Sequence, residues 1–286
     1  MKKLSKLLAY VLVVMILGNL LIGCSSKKEE KIKGQEDKVN TIIENGSFTT
    51  EPKNDDEGKS KQVEDKKEEK SKEKIEVSIK EKTIQEQKEA VAIDIRYPVI
   101  TGHPDKSIEA KLNKSFEEKV LDLKDMIQKG AEAALEYSKE NDVEFQKYMA
   151  QSSFKERYNK NGFLSLTIST FEFTGGSEGI RATTAYNIDL ESGRICQLYE
   201  LFAEDCDFKK IIDEVMLNTM KQNKDMYFQE AIDNFQGISA DQPFYIEKGN
   251  LVVYFGVYQL GPLTTGEPEF KVPLSKFKFK EGLELN

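Results

Sequence analysis

Tryptophan is absent from this 286-residue chain, histidine occurs once, cysteine three times and proline seven times. With His103 as the sole imidazole, a Ser-His-Asp triad has one candidate base and a histidine-rich metal centre has no ligand set. Three cysteines are too few for a four-cysteine zinc site or a disulfide-dense scaffold. No metal or cofactor is expected. Basic charge is also short: 42 Lys and Arg stand against 50 Asp and Glu, a formal net charge of −8. That balance disfavours a phosphate backbone, so nucleic acid is not an expected partner. The charge is uneven along the chain. Residues 1–24 hold three lysines and no acid, residues 25–75 hold 13 lysines and 14 acids, and residues 76–286 hold 26 basic and 36 acidic side chains. The acidic last region suits basic partners or plain solubility.

What is present at the N-terminus is more specific. Met1-Lys2-Lys3-Leu4-Ser5-Lys6 is a short basic start, and residues 7–23 are apolar except for Asn19. A run of about 17 residues lies near the lower limit for crossing a bilayer. It ends in Leu21-Ile22-Gly23-Cys24, which looks like a bacterial lipobox. On that reading residues 1–23 are a lipoprotein signal peptide, and Cys24 becomes the diacylglyceryl-bearing first residue of the mature protein. Several acyl chains at about 0.8 kcal/mol per buried methylene would hold a folded domain on the outer face of the cytoplasmic membrane without a spanning helix. Residues 24–75 then form a disordered tether, because their few large apolar residues cannot offset chain entropy.

From residue 76 the pattern becomes that of a fold. Ile75, Val77 and Ile79, then Val91, Ile93, Ile95 and Tyr97, alternate with polar residues as in half-buried paired strands. Ile108, Leu112, Phe116, Val120, Leu123 and Ile127 recur at three- and four-residue spacing, which predicts a long amphipathic helix over about 105–138. Leu164, Leu166 and Ile168 alternate before Phe171 and Phe173 take the other parity, so a bulge is expected at Ser169-Thr170. A second helix is expected from Phe208, running with a break near 223–225 to about Phe235. Strands about Phe244, 251–255 and 270–274 follow, with a turn at Glu247-Lys248-Gly249-Asn250. The expected class is α+β, two long helices on a mostly antiparallel sheet, with subdomains of about 76–150 and 151–286.

Four groups of residues invite a functional reading. Gly175, Gly176, Ser177, Glu178 and Gly179 could cradle phosphate only if a helix followed, but Ile180, Ala182, Thr184 and Tyr186 read as a strand. The glycines therefore serve a turn; Glu178 beside them either contacts a basic partner or is simply solvated, and Tyr258 either forms a binding rim with Gln259 or packs inside. The acids of Glu204-Asp205-Cys206-Asp207 stand before Phe208, where they suit a helix N-terminus better than a calcium site. His103, followed by Pro104, suits a helix entry better than a catalytic base. Cys196 and Cys206 could form a disulfide worth about 3 kcal/mol in the chain-entropy model or remain two buried thiols, and the sequence leaves both open.

Thr174-Gly175-Gly176, Asp189-Leu190-Glu191-Ser192-Gly193, Leu198-Tyr199-Glu200-Leu201-Phe202 and the run from Tyr254 through Tyr258-Gln259 to Pro262, with Gly266, together resemble a known pairing. It is that of the uncharacterised extracytoplasmic domains of RsiV-type anti-sigma factors and PdaC-type peptidoglycan deacetylases. The resemblance covers about 76–277. It implies an extracytoplasmic α+β module that binds lysozyme in the anti-sigma members and accompanies a separate catalytic domain in the deacetylases. Neither a cytoplasmic sigma-binding segment nor a deacetylase domain is expected in this chain. Ser177-Glu178 stand where the family usually has Ala-His, and Val257 replaces a common proline before Tyr258. The expected function is thus a membrane-anchored, non-catalytic lipoprotein binding lysozyme or peptidoglycan, with Gly175, Gly176, Ser177, Glu178, Tyr258 and Gln259 as binding residues. The alternatives are an accessory envelope lipoprotein without its own ligand and, third, a cell-wall glycan enzyme using a carboxylate pair.

Overall fold

The computed structural model describes residues 74–285. The leader, Cys24 and nearly all of the expected tether lie outside the described residues. Among the described residues two sheets and three α-helices form the fold, which is α+β as expected. Strands β1 (Ser78–Gln87), β2 (Val91–Thr101), β3 (Tyr148–Lys160), β4 (Phe163–Phe173), β5 (Ile180–Asp189) and β6 (Arg194–Ile195) make a six-stranded sheet in chain order. All neighbours are antiparallel except β2 and β3, which are parallel because helix α1 (Lys106–Asn141) crosses between them. The sheet runs continuously through residue 150, with β3 flanked by β2 and β4.

Helix α1 forms where the apolar spacing placed it. Asp105 caps it, its carboxylate accepting from the Ser107 and Ile108 amides. Leu112, Phe116, Val120, Leu123, Ile127 and Ala131 are buried against Ile93, Ile95, Leu164, Leu166, Ile168 and Ile188 of the sheet. His103 does sit at the helix entry. Its ring is 1% exposed, with Nε2 2.7 Å from the Leu190 carbonyl oxygen.

The large sheet's other face carries a second sheet, a layer the sequence reading did not separate. Strands β7 (Phe244–Glu247), β8 (Asn250–Tyr254) and β9 (Glu269–Pro273) form an antiparallel triplet, with the Lys248-Gly249 turn where it was expected. Alternation decides its two faces. Phe244, Ile246, Leu251, Val253, Phe270 and Val272 meet Ile212, Met216 and Met220 of helix α2 (Phe208–Gln222) in a second apolar core, whereas Tyr245, Val252 and Tyr254 face the large sheet. Strand β7 crosses that sheet: Phe244 O accepts from Asn187 on β5, Ile246 N donates to Ser165 on β4, and Glu247 pairs with Arg157 on β3.

Two expectations are corrected. Helix α2, 15 residues long, stops at Gln222 with the break where it was expected, but beyond it stand only a 3-10 turn (Lys224–Met226) and the five-residue helix α3 (Gln229–Asp233), so the second helix does not run on to Phe235. Asn223 ends α2 with its backbone out of helical geometry, and the Met226 amide turns back to the Asn223 carbonyl. The bulge expected at Ser169-Thr170 is absent: β4 pairs without interruption through both residues, and the register shift lies on its neighbour, between Glu156 and Tyr158. The parity change on β4 reflects cover and not a bend. Between Phe163 and Ile168 the strand is buried on both faces, and beyond that point Phe171 lies half-buried beneath the Arg181 guanidinium, 4.8 Å from its ring.

The beginning and end of the domain meet. Lys74 pairs with Glu284 at 2.7 Å, the Gly162 amide donates to Ile75 O, and Tyr158 and Asn161 donate to Glu284 O, all at the β3–β4 turn. The glycine turn lies at the opposite end of β4, about 30 Å away at some 3.3 Å per strand residue.

Candidate functional site

The Gly175-Gly176 turn joins β4 to β5, and a strand does follow it. Both glycines have positive φ, +88° and +104°, a conformation that side-chain-bearing residues rarely adopt. The Gln146 side chain fixes the turn by accepting from the Gly176 amide at 2.6 Å. Ser177 and Glu178 are exposed beyond it. Glu172, on β4 beside the turn, is a half-buried carboxyl whose pKa burial pushes upward.

Tyr258 and Gln259 lie on a different loop, residues 255–266, between β8 and β9. Tyr258 has φ +68°, and its side chain is 58% exposed. A bulky residue in the left-handed region carries strain of about 1–2 kcal/mol. Here the loop enforces it. The Gln259 side chain turns back to accept from the Gly256 amide at 2.7 Å, so the backbone between them is held in a tight turn that sends the Tyr258 ring outward. At the loop's far side a β-carbon on Gly261 would sit 2.3 Å from the Met226 carbonyl, so only glycine permits the approach. The Phe228 amide donates to Leu260 O at 2.9 Å, and the Thr265 hydroxyl donates to Met226 O.

These contacts join the Tyr258 loop to the turn after α2, and Met226 and Phe228 on the turn and Tyr258 on the loop are all exposed. The electrostatic character of this region is one-sided. Residues 225–247 contain five acids and no Lys or Arg, and residues 249–270 contain Glu267 and Glu269 and again no Lys or Arg. Asp225, Glu230 and Asp241 are exposed, and among the described residues none of the three has an ion-pair partner. Sequence reasoning named Tyr258 and Gln259 but missed Met226 and Phe228, because it placed them on a continuing helix.

The glycine turn and the Tyr258 loop flank the same strand. The turn precedes β5, and the loop is fastened to that strand's outer edge at Thr183 and Ala185. Among the described residues no hydrogen bond or ring contact joins the two directly. Cys196 and Cys206 are free thiols, both half-buried against the second core, so the structure contains no bridge between them. Burial pushes the Cys196 thiol pKa up, away from a reactive thiolate. Asp207 caps α2 by accepting from the Lys210 amide, and Asp205 pairs with Lys278. Among the described residues no group of three His, Cys, Asp or Glu side chains could hold a metal ion, and no helix is long and apolar enough to cross a membrane.

Comparison with known proteins agrees with this layout. Residues 84–181 match the family model described as deacetylase PdaC, and residues 199–275 match that of a protein of unknown function, DUF3298. Anti-sigma-V factor RsiV of Bacillus subtilis is 27% identical in an alignment 211 residues long that covers 66% of this chain and 65% of RsiV. The peptidoglycan-N-acetylmuramic acid deacetylase PdaC of the same organism is 21% identical over 119 residues, 40% of this chain and 25% of the enzyme. The chain thus spans less than two thirds of either relative. Crystal structures of DUF3298 proteins from Bacteroides fragilis and Pseudomonas aeruginosa share the fold. Their TM-scores are 0.57 and 0.53 at 18% and 16% identity, covering 72% and 73% of this chain and 94% and 97% of theirs. The chain carries a PdaC domain followed by a DUF3298 domain, as RsiV and PdaC do.

Proposed function

We propose that this protein is a non-catalytic binding module, lipid-anchored through Cys24 on the outer face of the cytoplasmic membrane, that engages a basic wall-active protein such as lysozyme. The observation that carries the reading is Tyr258, a bulky residue held at positive φ with its ring in solvent. Strain of that kind persists where the surroundings impose it and often marks a ligand contact. The apolar rim of Met226, Phe228 and Tyr258 offers an aromatic anchor, and the unpaired acids around it complement a cationic surface. The glycine turn, with exposed Ser177 and Glu178, provides a second contact at the start of β5. Resemblance to RsiV supports the choice of lysozyme over other basic proteins. Glycan of peptidoglycan is the competing ligand, since an exposed tyrosine also stacks on sugars.

The test is calorimetric titration of the protein with a c-type lysozyme at low and moderate salt, with lysozyme inhibition measured alongside. Binding that weakens with salt and falls at least about tenfold in Tyr258→Ala is the expected result. Undiminished binding by Tyr258→Ala, or binding to purified glycan alone, defeats the reading.

A further inference from the structure

The loop that carries Tyr258 is mounted at both ends on one residue of the six-stranded sheet, Thr183 of β5. At its start, the Tyr254 hydroxyl donates to Thr183 O at 3.2 Å and accepts from the Ala185 amide at 2.9 Å. At its end, the Glu267 carboxylate accepts from the Thr183 amide and from the Thr183 hydroxyl, each at 2.7 Å. Amide, carbonyl and hydroxyl of Thr183 are thus all engaged by the two residues that flank the loop. The Thr183 hydroxyl also contacts Ser169 Oγ at 2.9 Å, which ties the mount to β4. Phe255 N donates to Pro268 O at 3.0 Å and closes the neck between them.

The placement is not a by-product of strand pairing. Strand β5 pairs with β6 only at Ile188 and Asp189, so the outward backbone groups earlier in β5 lack a neighbouring strand. An open strand edge is normally paired, covered or charged. Here Tyr254 and Glu267 cover it, and burial pushes the Tyr254 phenol up to about 12, so it remains a hydrogen-bond donor. Thr183 and Ala185 lie just beyond the region that matches PdaC, while Tyr254 and Glu267 belong to the region that matches DUF3298.

We infer that Thr183, Tyr254 and Glu267 are positioning residues for the Tyr258 rim, so the six-stranded sheet and the loop act as one binding unit in which β5 sets the geometry of the loop. The positioning itself is independent of any ligand; its relevance to binding rests on the function proposed above. Internal contacts such as Gln259 with Gly256 shape the tip, but the neck takes its direction from β5.

Hydrogen exchange on the intact protein tests this. Glu267→Ala should raise exchange of the amides of residues 255–266 by about tenfold, the equivalent of about one charged hydrogen bond, with residues 164–168 of β4 unchanged. Thr183→Val keeps the strand and removes only the hydroxyl, so it provides a milder variant should Glu267→Ala not fold; a smaller rise confined to the same loop is expected. Glu267→Gln keeps an oxygen for the Thr183 amide and should restore most of the protection. Unchanged loop exchange in both Glu267→Ala and Thr183→Val overturns the inference, as does a rise shared equally by loop and β4, which would mean a merely structural role. Failure of the proposed function looks different: Tyr258→Ala would leave lysozyme binding intact while the exchange result stood.

Discussion

The Ser165 hydroxyl donates to the Asn187 amide oxygen at 2.7 Å, and this pair, facing each other across β4 and β5, seals the edge of the second sheet. Ser165 Oγ accepts from Ile246 N at 3.0 Å, and Asn187 Nδ2 donates to Phe244 O at 2.7 Å. Those two backbone groups point away from β8 and would otherwise be unpaired. Ser165 is fully buried and Asn187 is 3% exposed, so water cannot replace either partner. The fold therefore holds two apolar cores, one under α1 and one under α2, joined by a hydrogen-bonded seam.

Removing one side of that seam leaves a buried backbone group without a partner. Asn187→Ala should lower stability by about 1–3 kcal/mol, and Ser165→Ala by a similar amount. The two changes should not add, because each breaks part of one closed network. Urea unfolding of the single and double variants measures this. Additive losses would mean that the two side chains act separately.

Tyr258→Asn should make the protein more stable while weakening ligand binding. Asparagine tolerates the left-handed region better than tyrosine does, and relief of the φ +68° strain is worth about 1 kcal/mol. Little packing is lost, since the ring is mostly in solvent. Thermal unfolding and lysozyme titration on the same samples read the two effects. A drop in melting temperature would show that the ring contributes packing and that strain is not what holds it out.

Acid sensitivity should trace partly to Glu247. Its carboxylate accepts from Lys155 and, at 2.9 Å, from Arg157, and these cations lower its pKa from the ordinary 4.5 to about 2 against the opposing effect of burial. A carboxyl depressed on folding contributes stability that is fully present above the unfolded value and lost as pH falls through the folded one. The window is therefore between about pH 4.5 and pH 2. Glu247→Gln should be less stable at pH 7 and should lose part of the pH dependence in that window. A variant with the same acid slope as the parent would remove Glu247 from the account.

Much of this architecture is legible in the chain, and what is not has physical reasons. Helix α1 was readable because its apolar stripe faces a single sheet. Strand β3 was not, because the apolar alternation of Tyr148, Ala150 and Phe154 is interrupted by Ser152 and diluted by the small Ala150, while Lys155 and Arg157 serve Glu247 on the other sheet. The second sheet was hidden because its inward face meets hydroxyls and an amide and not an apolar stripe. Tyr258 stood out through its motif. Thr183, 71 residues from Tyr254 and 84 from Glu267 in the chain, could be joined to them only by the fold.

His103, the sole histidine, provides the last test, because its ring is buried and hydrogen-bonded within the fold. Its Nε2 lies 2.7 Å from Leu190 O, its Nδ1 accepts from the Asp105 amide at 3.0 Å, and its own backbone amide donates to Glu109. The ring thereby joins the α1 entry to the chain just after β5. Replacing it by alanine leaves the Leu190 carbonyl without its donor and opens a cavity at the helix entry, so His103→Ala should cost about 2–4 kcal/mol. His103→Gln, whose amide can still donate toward Leu190, should cost less. Chemical denaturation of both variants decides the matter: equal losses would assign the effect to volume alone, whereas recovery in His103→Gln assigns it to the hydrogen bond with Leu190.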